Sequence, residues 1–238
     1  MPEYLRDLRF VLRGIEACRH NATRLSATSK DALDAGRSGL ALSLSTLALE
    51  EIGKLLFVDG LLFAQHDDYK DQALKKGFRK HAKKLFSLIR FPLAVETFAR
   101  LDPRYESQPE YRQAIAISLE NWNQARCALA PWIGEDCALG SLDFWKQRGF
   151  YVEMSKDEFV DPNEAIPTAF AESVVLVASV TVDIINFIFR DNLEGYHEAA
   201  QTIRQMRTDE GHEAVKQLAE KLVDEVFAGL KQDDKGDI

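Results

Sequence analysis

The sequence predicts an all-α fold, and two features of the chain lead to that prediction. Apolar residues recur through most of its length at the spacing that lines one face of a helix. The 238 residues include only 7 Pro and 13 Gly, so long helices are rarely interrupted. A chain of this size can also bury a continuous core. We therefore expect one helical domain of about seven helices over residues 1–230, followed by a disordered tail at 231–238.

The N-terminal part of the chain predicts three helices. Residues 5–25 form the first, since their apolar side chains keep helical spacing. Thr28 has the chemistry of a helix cap before the second, which extends to about residue 64 and is strongly apolar. A third helix is expected at 69–90. It should end before Pro92, because the residue that precedes a proline is pushed out of the helical region.

The middle of the chain is more interrupted. Residues 101–109 contain two prolines and predict a loop, and residues 111–132 predict a fourth helix. A short helix is expected at 139–148, with Gly149 ending it. Aromatic and β-branched residues then predict a short extended insert near residues 150–153.

Three further helices are expected towards the C-terminus. Residues 168–190 are rich in Val and Ile, but their helical spacing favours a buried helix over a strand. Residues 194–207 and 210–230 form the last two. The strongest apolar stretch, 174–182, is much shorter than the ~20 residues that cross a bilayer, so no membrane span is expected.

Charge and cysteine content limit the function classes. A net charge of -8 disfavours a protein that coats nucleic acid or membranes, since both partners need a positive field over the contact area. The 3 cysteines are widely spaced and form no CxxC motif, so neither a disulfide framework nor a zinc site is predicted. The N-terminus lacks the apolar core of a signal peptide. We expect a cytoplasmic protein.

Carboxylate, amine and imidazole side chains cluster in the second and third predicted helices. Glu51 and Lys54 lie beside the apolar stripe of the second helix, and Glu50 reaches Lys54 at the i,i+4 spacing. His81 faces the apolar stripe of the third helix, with Lys84 one turn onward. Because consecutive helices usually pack as antiparallel neighbours, we expect Glu51, Lys54 and His81 to converge in one polar pocket.

Two interpretations of this expected pocket stay open. In one, the polar groups, Glu50 included, form a network that only fixes how the helices pack. In the other, Glu51, Lys54 and His81 are catalytic, because a carboxylate beside a lysine and a histidine can shift their pKa values towards acid/base chemistry or phosphate binding.

The segment around His81 is strongly basic. Residues 69–91 contain eight Lys and Arg side chains against the single acid Asp71, a net charge of +7 in an acidic protein. Such a cluster can contact RNA phosphates, and a solvated charged helix face is the alternative. The candidate RNA-binding residues are Lys76, Arg79, Lys80, Lys83 and Lys84.

Three segments resemble the AbiV branch of the HEPN superfamily. Residues 41–54, ALSLSTLALEEIGK, resemble its signature, and residues 78–84, FRKHAKK, resemble its downstream His-Lys element. Residues 148–153, RGFYVE, are similar to its Tyr-Val-acid segment. The resemblance implies an HEPN-like helical bundle, a homodimer, and a role in bacterial abortive infection, in which phage-infected cells shut down growth or translation.

Many HEPN proteins resemble metal-independent ribonucleases in which an Arg is followed a short distance later by His. Arg190, with the polar follower Asp191, and His197 fit this pattern. Two other pairs also fit: Arg13 with His20, and Arg207 with His212. We rank Arg190, Asp191 and His197 first because a predicted helix end can open a site to solvent.

Two functions therefore remain open. The first is an RNA-targeting toxin, a metal-independent endoribonuclease in which His moves the proton of a ribose 2′-hydroxyl while Arg or Lys stabilises the phosphorane. The second is a non-catalytic interaction protein that blocks translation through a phage-encoded or host partner. A di-metal bundle is disfavoured because Glu194 and His197 supply only one Glu-x-x-His unit. No phosphate-loop motif occurs either, so neither metal nor cofactor is expected.

Overall fold

The computed structural model describes residues 8–63, 81–100, 102–134, 139–155 and 158–189. Its helices, in chain order, are α1 (Leu8–Asp34), α2 (Ser38–Phe63), α3 (His81–Ser87), α4 (Phe91–Arg100), α5 (Pro103–Ser107), α6 (Pro109–Cys127), α7 (Ala130–Ile133), α8 (Leu142–Phe150), α9 (Pro162–Ala165) and α10 (Thr168–Phe189). Short 3₁₀ turns occur at Leu88–Arg90 and Leu139–Ser141. The prediction of an all-α fold is confirmed.

Helix α2 lies at the centre of the fold. It packs against α1, α3, α8 and α10. Its side chains are buried on more than one face, as Leu42, Leu49, Ile52 and Leu55 are all fully buried. A helix that is apolar nearly all round is stable only inside a protein, so the apolar composition of this segment and its central position have the same cause.

The first helix is longer than its sequence predicts. It continues through Thr28, whose hydroxyl donates to the Arg24 carbonyl within the helix instead of capping a new one. The break comes at Gly36, whose φ of 70° lies in the left-handed region that glycine tolerates. The N–H of Gly36 donates to Leu33 and that of Arg37 to Ala32, which is the hydrogen-bond pattern of a Schellman cap.

The prolines shape the middle of the chain differently from the prediction. Pro92 lies in the first turn of α4, where its missing N–H leaves no helical hydrogen bond unmade. The predicted loop at 101–109 contains α5, because Asp102 accepts a hydrogen bond from the Arg104 N–H and Pro103 starts the helix. The predicted helix at 111–132 is divided between α6 and α7.

Gly149 does not end α8, contrary to the prediction. The helix continues to Phe150, and Gly149 is buried at a close contact with α2. The extended insert lies slightly further along than expected. It is an antiparallel hairpin of β1 (Glu153–Ser155) and β2 (Glu158–Val160), in which Met154 pairs with Phe159.

The helix predicted at 168–190 is confirmed as α10. Within the described ranges it is the one helix long and apolar enough to cross a membrane, but 61% of its apolar window is buried inside the fold. Phe170, Val174 and Ile185 are buried, and α10 packs on α1, α2 and α6. These contacts are those of a core helix. The predicted helices at 194–207 and 210–230, and the predicted tail, lie outside the described residues.

Candidate functional site

A buried carboxylate on α2 gathers charged side chains from two other helices. The side chain of Glu50 is only 2% exposed. Its Oε1 accepts a hydrogen bond from Lys146 Nζ of α8 at 2.6 Å. Its Oε2 lies 3.0 Å from Lys84 Nζ and 2.5 Å from His81 Nδ1, both on α3. Lys146 also donates to Asp143 Oδ1 at 2.7 Å. We call these five residues the Glu50 cluster.

Small residues on α2 allow its neighbours to come close enough to form the cluster. A Cβ on Gly53 would overlap the carbonyl oxygen of Lys84, so α3 lies directly against α2 one turn from Glu50. On the other side, a Cβ on Gly149 would overlap the backbone of Gly39. Ser43 donates to the Lys146 carbonyl at 2.9 Å. Both neighbouring helices are therefore fixed against α2 at backbone distance.

Opposite charges keep the buried groups of the cluster ionised. Burial opposes the charge of Glu50, but hydrogen bonds from Lys146, His81 and Lys84 outweigh it and hold the pKa of Glu50 below its ordinary value. Burial likewise opposes the charge of Lys146, yet hydrogen bonds to Asp143 and Glu50 raise the pKa of Lys146 above its ordinary value. Glu50 and Lys146 are therefore both charged at neutral pH.

His81 is the member of the cluster that reaches solvent most. Its side chain is 46% exposed, whereas those of Lys84 and Lys146 are 4% exposed. An ionised Glu50 only accepts hydrogen bonds, so Nδ1 of the neutral ring carries the proton and donates it to the carboxylate. This assignment leaves Nε2 with a free lone pair. A carboxylate that orients a histidine in this way is a common element of acid/base sites.

The predicted convergence of Glu51, Lys54 and His81 is not what the structure shows. Consecutive helix positions point about 100° apart, so Glu50 and Glu51 face different neighbours. Glu51 forms an ion pair with Lys54, and in the described part of the chain neither of these two is bonded to His81. Lys54 therefore pairs with Glu51 instead of Glu50.

Burial and then the nearby Glu51 raise the pKa of Cys18 on α1 to about 11, which keeps that thiol protonated.

Three potential metal ligands meet in the cluster. Ligand atoms of Glu50, His81 and Asp143 all lie within 4.8 Å of one another. However, Lys146 and Lys84 already direct ammonium groups at the two oxygens of Glu50. Two positive charges inside the ligand shell oppose a cation. The donor set therefore fits a hydrogen-bonded ion network better than a metal site.

Other predicted site residues fall partly outside the described ranges. Arg190, Asp191, His197 and three of the basic candidates, Lys76, Arg79 and Lys80, lie outside them, and for Lys83 only the backbone is described. Lys84 is described, and it is buried against Glu50 instead of exposed to a phosphate.

Sequence reasoning missed Asp143 and Lys146 altogether. Their i,i+3 spacing is a weak signal, because it is also the spacing of an ordinary surface ion pair. The nearest hint was the family-like segment RGFYVE, which begins two residues after Lys146.

A comparison with known protein families matches most of the chain. The family model HEPN_AbiV, described as AbiV, matches residues 10–183. No curated protein and no solved structure matches the chain. The matched range contains every residue of the Glu50 cluster and ends before Arg190 and His197. It confirms the resemblance and the HEPN-like fold. Because the match spans most of its 238 residues, the chain belongs to the AbiV family of HEPN proteins.

Proposed function

We propose that this chain is a cytoplasmic, homodimeric abortive-infection protein that halts growth or translation in phage-infected cells by cleaving RNA without a metal. The observation that carries the proposal is His81, a half-exposed imidazole whose Nδ1 lies 2.5 Å from the buried carboxylate of Glu50. The match to the AbiV family supports the biological setting.

The chemistry needs only groups that RNA and His81 supply. Nε2 of His81 takes the proton from a ribose 2′-hydroxyl, and that oxygen attacks the adjacent phosphorus. The bond from phosphorus to the 5′-oxygen breaks, and the imidazolium returns its proton to that oxygen. The products are a 2′,3′-cyclic phosphate and a 5′-hydroxyl. His81 ends in its starting state, so no metal or co-reactant is consumed.

Glu50 acts through His81 in this proposal. It fixes the ring with Nε2 free, and its negative charge stabilises the imidazolium that forms during proton transfer. Lys84 and Lys146 keep Glu50 ionised, because each lies within hydrogen-bond distance of it. The phosphorane charge is stabilised by the basic segment around His81, of which Lys76, Arg79, Lys80 and Lys83 are the proposed RNA contacts.

The proposal is tested by incubating the purified protein with total bacterial RNA in the presence of a metal chelator. We expect cleavage with cyclic-phosphate ends, lost in His81→Ala. The matched control is His66→Ala, since His66 belongs to neither candidate site. His197→Ala separates the two sites. Loss of cleavage in His197→Ala alone would assign the chemistry to Arg190, Asp191 and His197, and intact RNA with the wild type would refute the ribonuclease.

A second candidate function is favoured by an exposed apolar surface. Large apolar side chains of α8, the hairpin and the segment between them are exposed: Phe144, Phe150, Tyr151, Val152 and Phe159. We call this the aromatic surface. Aromatic side chains are enriched at protein interfaces. In this alternative the protein is not catalytic and blocks translation by binding a phage-encoded or host partner through this surface.

Protection against phage distinguishes the two functions. If the chain only binds a partner, Phe144→Ser with Tyr151→Ser abolishes protection, and His81→Ala retains it. If the chain cleaves RNA, His81→Ala abolishes protection even though the variant is folded and present at the wild-type level.

A further inference from the structure

We propose that Arg19, His20, Thr23 and Asn186 form a phosphate-binding site on the face shared by α1 and α10. None of these residues belongs to the Glu50 cluster, which is built from α2, α3 and α8. The proposal therefore does not depend on whether the Glu50 cluster cleaves RNA.

The guanidinium of Arg19 is held in place by neutral groups. Its Nη1 donates to Asn186 Oδ1 at 3.0 Å, and its Nη2 lies 2.8 Å from His20 Nε2. Asn186 is itself fixed, because its Nδ2 donates to Thr23 Oγ1 at 3.1 Å. Thr23 in turn donates to the Arg19 carbonyl at 2.9 Å. The long side chain of Arg19 is thus positioned before any ligand arrives.

Arg19 keeps unused hydrogen-bond donors. A guanidinium has five N–H groups, and the contacts to Asn186 and His20 use two. The Nε atom is buried and, within the described residues, has no hydrogen-bond partner. In the same ranges no carboxylate forms an ion pair with Arg19. Because Nε is buried, a ligand would meet Arg19 through the remaining N–H groups of Nη1 and Nη2.

His20 is the second side chain that contacts the Arg19 guanidinium. Because its Nε2 accepts from Arg19, the neutral ring carries its proton on Nδ1, where it remains a donor. The His20 side chain is 62% exposed, so a ligand can reach it. Glu16 is the nearby acid, with Oε1 3.8 Å from His20 Nε2. Glu16 is half-exposed, and solvent therefore screens its effect on an incoming anion.

The ligand that fits this arrangement is a phosphoryl group. A planar guanidinium with free N–H groups binds two oxygens of one phosphate. The phosphate could belong to an RNA backbone or to a small phosphorylated molecule, and both present the same oxygens.

The test measures binding of inorganic phosphate and of a short single-stranded RNA to the full chain and its variants. We expect Arg19→Gln to weaken binding roughly tenfold or more, because it removes a charge-assisted hydrogen bond. The matched control is Arg24→Gln on the same helix. Arg24 is exposed and bonded to Asn21, and its loss should change binding by less than about threefold. Arg19→Lys retains the charge but not the planar guanidinium that binds two oxygens. Its affinity for each probe should therefore fall between those of the two glutamine variants.

The outcomes are distinct. If Arg19→Gln weakens the binding of inorganic phosphate but not of RNA, the ligand is a small phosphorylated molecule. If it weakens the binding of RNA, the ligand is the RNA backbone. Equal effects of Arg19→Gln and Arg24→Gln would overturn the proposal, because they would show only general charge attraction. Failure of the wild type to bind either probe would overturn it as well. Thermal unfolding confirms that each variant is folded, since Arg19 also links α1 to α10.

Discussion

At the scale of single residues, Glu50 is the centre of the candidate site. It accepts hydrogen bonds from three side chains on two helices, although it is almost fully buried. Removing water from a carboxylate is costly, and only close opposite charges offset that cost. Removing the charge of Glu50 should therefore lower the free energy of unfolding more than removing the charge of an exposed carboxylate.

We predict that Glu50→Gln lowers the free energy of unfolding by ~3–5 kcal/mol, because Lys84 and Lys146 are left buried without their countercharge. Lys146→Met removes one partner only and should cost less. Lys54→Met is the matched control, since the Lys54–Glu51 pair is only partly buried and solvent screens it more than the pairs of Glu50, so its loss should cost less than that of Lys146. Urea unfolding measures all three. An equal cost for Lys146→Met and Lys54→Met would contradict the role assigned to the cluster.

The same residues predict how stability depends on pH. The pKa of Glu50 is lowered in the folded chain, so its contribution is present above the ordinary glutamate pKa and is lost as pH falls through the folded value. The pKa of Lys146 is raised, so its contribution is lost only as pH rises above the ordinary lysine range. Urea midpoints measured across pH should fall at the acid end, and Glu50→Gln should flatten that fall. An unchanged acid limb in Glu50→Gln would exclude Glu50 as its source.

At the scale of elements, three glycines set how closely the helices approach. Gly53 lies against the backbone of α3, and Gly39 and Gly149 bring α2 and α8 together. The sequence alone suggested that Gly149 ends a helix, because a glycine more often marks an end than a buried contact. The difference between these two roles depends on what lies opposite the glycine, and that neighbour is far away in the chain.

We predict that Gly53→Ala destabilises the protein towards the upper end of ~1–3 kcal/mol, since its Cβ overlaps backbone that cannot rotate away. It should also move α3 and thereby separate His81 from Glu50. Gly14→Ala is the control, because its Cβ would lie 3.3 Å from a Val58 methyl group that can adjust. Unfolding measurements and the NMR shifts of the His81 ring report the two effects. Full stability in Gly53→Ala would show that the helices are not in such close contact.

At the scale of the whole molecule, the sequence predicts helices better than it predicts their meeting points. Apolar spacing identified α10 because every turn repeats the same signal. The pairing of Glu50 with Lys146 joins residues 96 positions apart, and nothing local marks it. Glu50 and Glu51 are adjacent acids in the sequence, so the choice between them depends on helix orientation alone. His81 was identified because an imidazole beside an apolar stripe is uncommon.

The family match and the structure together support one account of the molecule. A core of α1, α2 and α10 holds α3 and α8 so that a buried ion network presents one histidine to solvent. The network consists of two acids and two lysines besides His81, and the formal charges of these four groups cancel.

The most direct test of this account is the rate of RNA cleavage in the presence of a metal chelator. That rate is compared between the wild type and a folded His81→Ala variant. We predict a rate lower by a factor of ~10²–10⁴ in the variant, which is the usual contribution of a general acid/base. Equal rates, with His81→Ala as stable as the wild type, would contradict it and leave the Glu50 cluster as a structural element only.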